Sequence, residues 1–220
     1  MSIQVKICGI NSVESADAAV RAGADFAGLV FHPKSPRLVH VEQAQALARR
    51  MRDRVRVVAL LANPSDEEAL VISQVLAPDF LQLHGSETPE RVGEIRARFG
   101  KPVIKALAIA EAADLVRAAS YADAAEMFLF DAKAPANAAR PGGHGAAFDW
   151  QLLRGRSFSR PWLLAGGLNA ENVARAIASS DAPCVDVSSG VETAPGVKSA
   201  QMISDFVAAA RSASYAETRA

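Results

Sequence analysis

Two side chains in this sequence form a candidate acid–base pair: Cys8, in Lys6-Ile7-Cys8-Gly9-Ile10, and Asp131, in Phe128-Leu129-Phe130-Asp131-Ala132. A thiol and a carboxyl are suited to take and give protons when their surroundings shift their ordinary affinities. Each residue closes a short apolar run. A free cysteine in such a place serves equally well as a small core hydrophobe. A carboxylate after three large apolar residues is costly to bury alone, and a helix cap or an ion pair would satisfy it as well.

A second group of residues has the chemistry of an anion site. Ala165-Gly166-Gly167-Leu168-Asn169 and Ser188-Ser189-Gly190-Val191 are glycine-containing turns after apolar runs. Glycine lets backbone N–H groups come close to an anion, and a following helix start adds a favourable dipole. Gly166, Gly167, Ser188, Ser189 and Gly190 are therefore candidate phosphate ligands, although tight turns alone would also account for the glycines. Arg37 lies in His32-Pro33-Lys34-Ser35-Pro36-Arg37, and its guanidinium can grip a carboxylate with two parallel hydrogen bonds. In Leu81-Gln82-Leu83-His84-Gly85, Gln82 and His84 alternate with leucines and so share one face. That face suits a structural or substrate-orienting pair. Asp186, two residues before Ser188, can receive a hydroxyl or an amine. No His, Cys or acidic pair has metal-ligand spacing, so no metal is expected. Pro141-Gly142-Gly143-His144-Gly145 reads as a mobile flap or as a plain flexible loop.

The elements that must hold these groups follow a strict alternation. Eight short apolar runs are visible: Ile3–Cys8, Phe26–Phe31, Val55–Leu61, Phe80–His84, Val103–Leu107, Met127–Asp131, Trp162–Ala165 and Cys184–Ser188. They are nearly continuous in Val, Ile, Leu and Phe, the pattern of parallel strands covered on both faces. Helical patterns lie between them. Asn11 reads as a cap with Glu14 three residues on, Ser65 with Glu68 as a capping box, Thr88-Pro89 as a helix start, and Asn169 as another cap. Eight strand–helix units point to a single closed (β/α)8 barrel, whose chemistry sits at the C-terminal strand ends and whose usual phosphate site follows strands seven and eight. The expected domain spans residues 1–211, with 212–220 a flexible tail poor in apolar pattern.

Composition narrows the partners. The chain has 220 residues, half of them hydrophobic, enough for one sizeable core. Lys plus Arg and Asp plus Glu are 24 each, so no basic surplus suits it to nucleic acid. No apolar run reaches the roughly 18–20 residues of a membrane helix, and the N-terminus lacks a signal-peptide pattern. Two cysteines, Cys8 and Cys184, make no disulfide framework. The expectation is a soluble, reduced, cytoplasmic protein without membrane or nucleic-acid partners, either monomer or homodimer.

Taken together, these residues resemble the phosphoribosylanthranilate isomerases of tryptophan biosynthesis. The likeness runs from Val5 to about Phe206. Its marks are Lys6-Ile7-Cys8-Gly9, Gly28-Leu29-Val30-Phe31 with Ser35-Pro36-Arg37, Leu81-Gln82-Leu83-His84-Gly85 and Asp131. They continue with Gly142-Gly143-x-Gly145, Phe148-Asp149-Trp150, Ala165-Gly166-Gly167-Leu168, and Asp186-Val187-Ser188-Ser189-Gly190-Val191-Glu192. The resemblance implies a single barrel, no cofactor, and an Amadori rearrangement of a phosphorylated aminoaldose, N-(5'-phosphoribosyl)anthranilate. It implies Cys8 as general base, Asp131 as general acid, Arg37 as the anthranilate carboxylate's partner, and the two glycine-containing loops as the phosphate site. His144 departs from the threonine or serine common at that place, which bears on closure or affinity rather than on the reaction itself.

Two kinds of rival reading stand beside it: another barrel enzyme acting on a phosphosugar, and a barrel that binds one without catalysis. The related isomerase of histidine biosynthesis resembles a pattern with aspartates ending strands one and five; here those ends are Cys8 and Leu107. An indole-closing synthase would want lysines and glutamates in the mouth, for which Lys105 alone is thin support. A phosphosugar-binding barrel without catalysis would have no use for both Cys8 and Asp131.

Overall fold

The computed structural model describes residues 2–133 and 148–216, the side chains of 214–216 excepted. Eight strands, β1 (Gln4–Cys8), β2 (Phe26–Val30), β3 (Arg56–Leu61), β4 (Phe80–Leu83), β5 (Val103–Ile109), β6 (Met127–Ala132), β7 (Trp162–Leu164) and β8 (Cys184–Val187), close into a barrel in chain order. Each is parallel to its neighbours, and β8 returns to pair with β1. Their bounds meet the sequence expectation to within a residue or two. Parallel pairing requires crossovers. Helices α1 (Val13–Ala22), α2 (Val41–Met51), α3 (Asp66–Val71), α4 (Pro89–Phe99), α5 (Ala112–Val116), α6 (Val173–Ser180) and α7 (Ala200–Ala216) supply most of them.

Local chemistry explains where the helices begin. Ser65 accepts from the Glu68 amide while Glu68 reaches back, a complete capping box. Thr88 accepts from the Arg91 amide and Pro89 opens α4. For α1 the structure corrects the expected cap. Ser12, not Asn11, accepts from the amide of Ser15, whose hydroxyl answers the Ser12 amide. Asn11 instead donates its amide across the barrel end to the carbonyl of Gly196 at 2.9 Å. Asn169 does cap a turn, accepting from the amides of Glu171 and Asn172, one turn ahead of α6.

The eightfold alternation is imperfect. After β6 the described residues form only a 3-10 turn, Trp150–Leu153, which Gly155 follows at φ 66°. Among the described residues, this turn alone stands where a helix between β6 and β7 was expected. Between β8 and α7 the chain inserts a small antiparallel hairpin, β9 (Glu192–Ala194) with β10 (Val197–Lys198), which the apolar pattern did not announce. Helix α7 continues to Ala216, so the boundary drawn at Arg211 falls inside a helix.

Two cores separate by strand parity. Val5, Ile7, Ala27, Leu29, Val57, Leu81, Leu83, Phe128, Phe130 and Val185 face the helices. The alternate residues, Phe26, Val58, Ile104, Ala106, Met127, Leu129, Leu163, Ala165 and Cys184, fill the barrel interior. A smaller cluster of Cys8, Val30 and Leu60 lies apart from that filling. Because side chains alternate faces along a strand, Lys6 and Cys8 share the interior parity of β1, Gln82 that of β4, Asp131 that of β6, and Asp186 that of β8.

Candidate active site

The barrel interior carries its charge as a pair. Lys6 and Asp186 stand opposite each other in the β1–β8 register, and Lys6 Nζ donates to Asp186 Oδ1 at 2.8 Å, with Lys6 fully buried. Cys8 follows on the same face of β1, nearly buried at 5 % exposure. Gly28 of β2 makes the room for both: a Cβ there would stand 2.9 Å from Cys8 Sγ and 3.3 Å from Lys6 Nζ. Burial pushes the Cys8 thiol above its ordinary range, and the Lys6 ammonium pulls it back. Burial alone would push the Lys6 ammonium toward neutrality, but Asp186 and Cys8 more than offset this and hold it charged.

Asp131 ends β6 with one oxygen, Oδ1, accepting from the Ala132 amide at 2.9 Å and the other, Oδ2, 3.3 Å from His84 Nε2. Gln82 Nε2 lies 3.0 Å from His84 Nδ1. When the amide donates there, the ring hydrogen sits on Nε2 and faces the carboxylate. The Gln82–His84–Asp131 line joins the ends of β4 and β6; the alternation with leucines implied the shared face of Gln82 and His84 but not the link to Asp131. Gly166 closes the third side. With φ 90° and a Cβ position 2.7 Å from the Ala132 nitrogen and 3.1 Å from Asp131 Oδ1, it packs its backbone against the carboxyl. Any side chain there would displace it.

Gly167 continues from Gly166 at φ 66° into the loop before α6. Gly190, in a 3-10 turn (Ser189–Val191), lies so close to that loop that a Cβ would fall 1.9 Å from the Leu168 carbonyl. The turns after β7 and β8 are thus packed on each other. Ser188 binds back to the first strand, its hydroxyl donating to the Cys8 carbonyl at 3.1 Å. Gly166, Gly167, Ser188, Ser189 and Gly190 therefore form one continuous ledge, with Cys8 at one end and Asp131 at the other.

Arg37 is not a solvated surface arginine. It is 4 % exposed, its stem lies on Gly9, and its Nε and Nη2 donate to the two oxygens of Glu192 at 2.7 and 2.8 Å. Lys198 donates to the same Glu192 at 2.8 Å. Burial would raise the Glu192 carboxyl, but Arg37 and Lys198 hold it below the usual range. Lys34, from the same loop, is exposed. Sequence reasoning gave Glu192 and Lys198 no role, although Glu192 stood in a noted motif. Lys105 has the outward parity of β5 and pairs at 2.6 Å with Glu87 beneath the helices, so it is not a mouth lysine. Glu87 in turn accepts from the amides of Asn63 and Gly85 and steadies the loop that follows His84. The Gly142-Gly143-x-Gly145 segment with His144 lies outside the described residues.

Among the described residues no three His, Cys, Asp or Glu side chains converge as a metal cage, and no helix is long and apolar enough to cross a membrane. The described residues thus bring a thiol and a carboxyl to the strand ends, with the packed turns after β7 and β8 between them and a buried guanidinium on the loop after β2.

The comparisons bear on what such an arrangement is for. Residues 5–209 match the family model described as N-(5'-phosphoribosyl)anthranilate (PRA) isomerase. An N-(5'-phosphoribosyl)anthranilate isomerase of Rhodospirillum centenum is 52 % identical over 214 residues, covering 96 % of this chain and 99 % of that protein. Among solved structures, the phosphoribosyl anthranilate isomerase of Thermotoga maritima aligns at TM-score 0.86 and 38 % identity, over 96 % of this chain and 99 % of that one. Another, a phosphoribosyl anthranilate isomerase in complex with reduced 1-(o-carboxyphenylamino)-1-deoxyribulose 5-phosphate, aligns at TM-score 0.82 and 35 % identity over the same shares.

Proposed function

Because the chain belongs to the N-(5'-phosphoribosyl)anthranilate isomerase family, we propose that it converts N-(5'-phosphoribosyl)anthranilate to 1-(2-carboxyphenylamino)-1-deoxyribulose 5-phosphate in L-tryptophan biosynthesis, with Cys8 as general base and Asp131 as general acid. The reaction is an aldose–ketose isomerisation, and it needs one proton given and one taken. Asp131 gives its proton to the furanose ring oxygen as the C1–O bond breaks, leaving an iminium at C1. The iminium makes the C2 hydrogen acidic. The Cys8 thiolate removes it, and the electron pair of that C–H bond forms the C1–C2 double bond of an enolamine. Tautomerisation of the enolamine gives the ketose.

The observation that carries this reading is the shared interior parity of Cys8 and Asp131 at the C-terminal rim, on strands three places apart around the barrel. A thiol and a carboxyl there face a substrate from two sides. The ledge of Gly166, Gly167, Ser188, Ser189 and Gly190 would take the phosphate, whose binding energy fixes the sugar between them. Arg37 would take the anthranilate carboxylate. His84 and Gln82 would orient Asp131, and Asp186, already engaged by Lys6 through Oδ1, would meet a sugar hydroxyl or the amine.

The test is a coupled assay. Phosphoribosylanthranilate is generated in situ from anthranilate and phosphoribosyl pyrophosphate, and loss of its fluorescence is followed with wild type, Cys8→Ala and Asp131→Asn. Wild type consumes it, and each variant loses about 10²–10⁴-fold in kcat, the usual worth of one acid–base group. Near-wild-type turnover by either variant removes that residue from the mechanism. No turnover by wild type overturns the substrate.

A further inference from the structure

The hairpin β9–β10 is an insertion that a (β/α)8 barrel does not require, and its two facing residues are both charged, with their side chains turned out of water. Lys198 stands opposite Glu192 in the hairpin register. The Arg37 and Glu192 side chains are 5 % and 4 % exposed, and that of Lys198 is 1 %. Two basic groups and one carboxylate are therefore held nearly out of water; burial pulls the Lys198 ammonium toward neutrality and Glu192 only partly restores it, so positive charge in the cluster is under-compensated. Such an imbalance is expensive to bury unless a further anion completes it.

The geometry says where that anion would come. A guanidinium has five N–H donors. Glu192 takes Nε and one hydrogen of Nη2, which leaves the Nη1–Nη2 end of the fork for a two-oxygen ligand. The hairpin also fixes where that fork stands. Gly196 at its turn, with φ 83°, packs so tightly on the residue before Arg37 that a Cβ would lie 2.4 Å from the Pro36 carbonyl. Gly9, at φ 82°, carries the Arg37 stem, and a Cβ there would lie 2.5 Å from Arg37 Cδ. Lys198 then continues the line in the other direction. Its Nζ donates to the Ser188 carbonyl at 2.9 Å and approaches the Ser188 hydroxyl at 3.3 Å, and that hydroxyl holds the Cys8 carbonyl.

We propose that Glu192 and Lys198 are the positioning residues that aim Arg37 at the substrate's carboxylate and tie that grip to the phosphate ledge, making the carboxylate a specificity requirement of this site. The proposal rests on the reading of Arg37 as the carboxylate's partner. A ligand carboxylate brings the Arg37–Lys198–Glu192 cluster to charge balance. A ligand without one leaves the surplus cation buried, and the site discriminates against it.

The experiment compares Arg37→Ala, Glu192→Gln, Lys198→Met and the double variant Arg37→Ala with Glu192→Gln. Two probes are used as inhibitors: reduced 1-(2-carboxyphenylamino)-1-deoxyribulose 5-phosphate, and the same compound with a plain phenyl ring. Their affinity ratio measures preference for the carboxylate and does not depend on the fraction of enzyme folded. Glu192→Gln is expected to raise KM about tenfold with kcat within about threefold, and to lower the preference about tenfold. Lys198→Met does the same and also weakens competition by inorganic phosphate. The double variant is no worse than Arg37→Ala alone, because Glu192 acts through Arg37. If Arg37→Ala abolishes the preference while Glu192→Gln leaves it intact, the positioning role is overturned. If Arg37→Ala leaves KM and preference unchanged, the carboxylate reading of Arg37 itself falls.

Discussion

The replacement of Lys6 by methionine separates folding from catalysis in a single experiment. Lys6 is fully buried, paired to Asp186 at 2.8 Å, and lies with Cys8 Sγ around the one point that a Gly28 side chain would occupy. That shared point puts ammonium and sulfur within about 6 Å of each other, where two unit charges at an effective dielectric near 20 interact by about 3 kcal/mol. This is about two pKa units, or roughly a hundredfold in the thiolate population. Burial already pushes the thiol up, so losing Lys6 pushes it further from ionising at neutral pH. Lys6→Met is therefore expected to lower kcat/KM about a hundredfold. Removing one partner of a buried pair also strands Asp186, at about 3–5 kcal/mol of stability. The double variant Lys6→Met with Asp186→Asn removes both charges. It should regain most of the stability while kcat/KM stays down about tenfold, since the field of Asp186 that opposed the thiolate goes as well. Urea unfolding and the fluorescence assay at one pH read the two quantities independently. Wild-type turnover by the double variant would refute the role of Lys6 in ionising Cys8. A single variant within about 1 kcal/mol of wild type would refute the argument that the pair is a buried charge balance.

Three further outcomes follow from particular contacts. Gly166→Ala sets a Cβ 2.7 Å from the Ala132 nitrogen at φ 90° and should cut kcat about a hundredfold by displacing Asp131; an unchanged kcat contradicts the packing of Gly166 on that carboxyl. Cys184 lies in the barrel interior, where burial pushes its thiol well above the ordinary range. Iodoacetamide should therefore label Cys8 alone, at a rate that climbs about tenfold per pH unit through pH 9 because only the thiolate reacts and the raised thiol is mostly protonated below that; a peptide map showing labelled Cys184 contradicts this. Lys105→Met leaves Glu87 uncompensated beside the amides of Asn63 and Gly85 and should cost about 3–5 kcal/mol in urea unfolding. If that variant is as stable as wild type, the pair is not what steadies the loop after His84.

The strands were legible because a doubly covered parallel strand is nearly continuous in apolar residues, and a charged residue inside one is conspicuous. Lys6, Gln82, Asp131 and Asp186 each interrupt such a run, and strand alternation alone assigns all of them to the interior. What alternation cannot assign is the partner. Lys105 interrupts β5 in the same way, yet its outward parity sends it to Glu87 under the helices rather than into the mouth. Asn11 and Ser12 are equally good caps by residue type. The choice between them is made by Gly196, which is far away in sequence and takes the Asn11 amide. The hairpin β9–β10 was invisible for a different reason, since strands of three and two residues are too short to show a period.

Arg37 brings these limits together. Its partner Glu192 is 155 residues away, so neither spacing nor periodicity joins them. A buried ionisable group implies a partner, and parity or packing limits where that partner can be, but only the closed barrel supplies its identity. For this reason the candidate acid–base pair at the strand ends could be read along the chain. The Arg37–Glu192–Lys198 cluster, built from the loop after β2 and the hairpin after β8, had to be read around it.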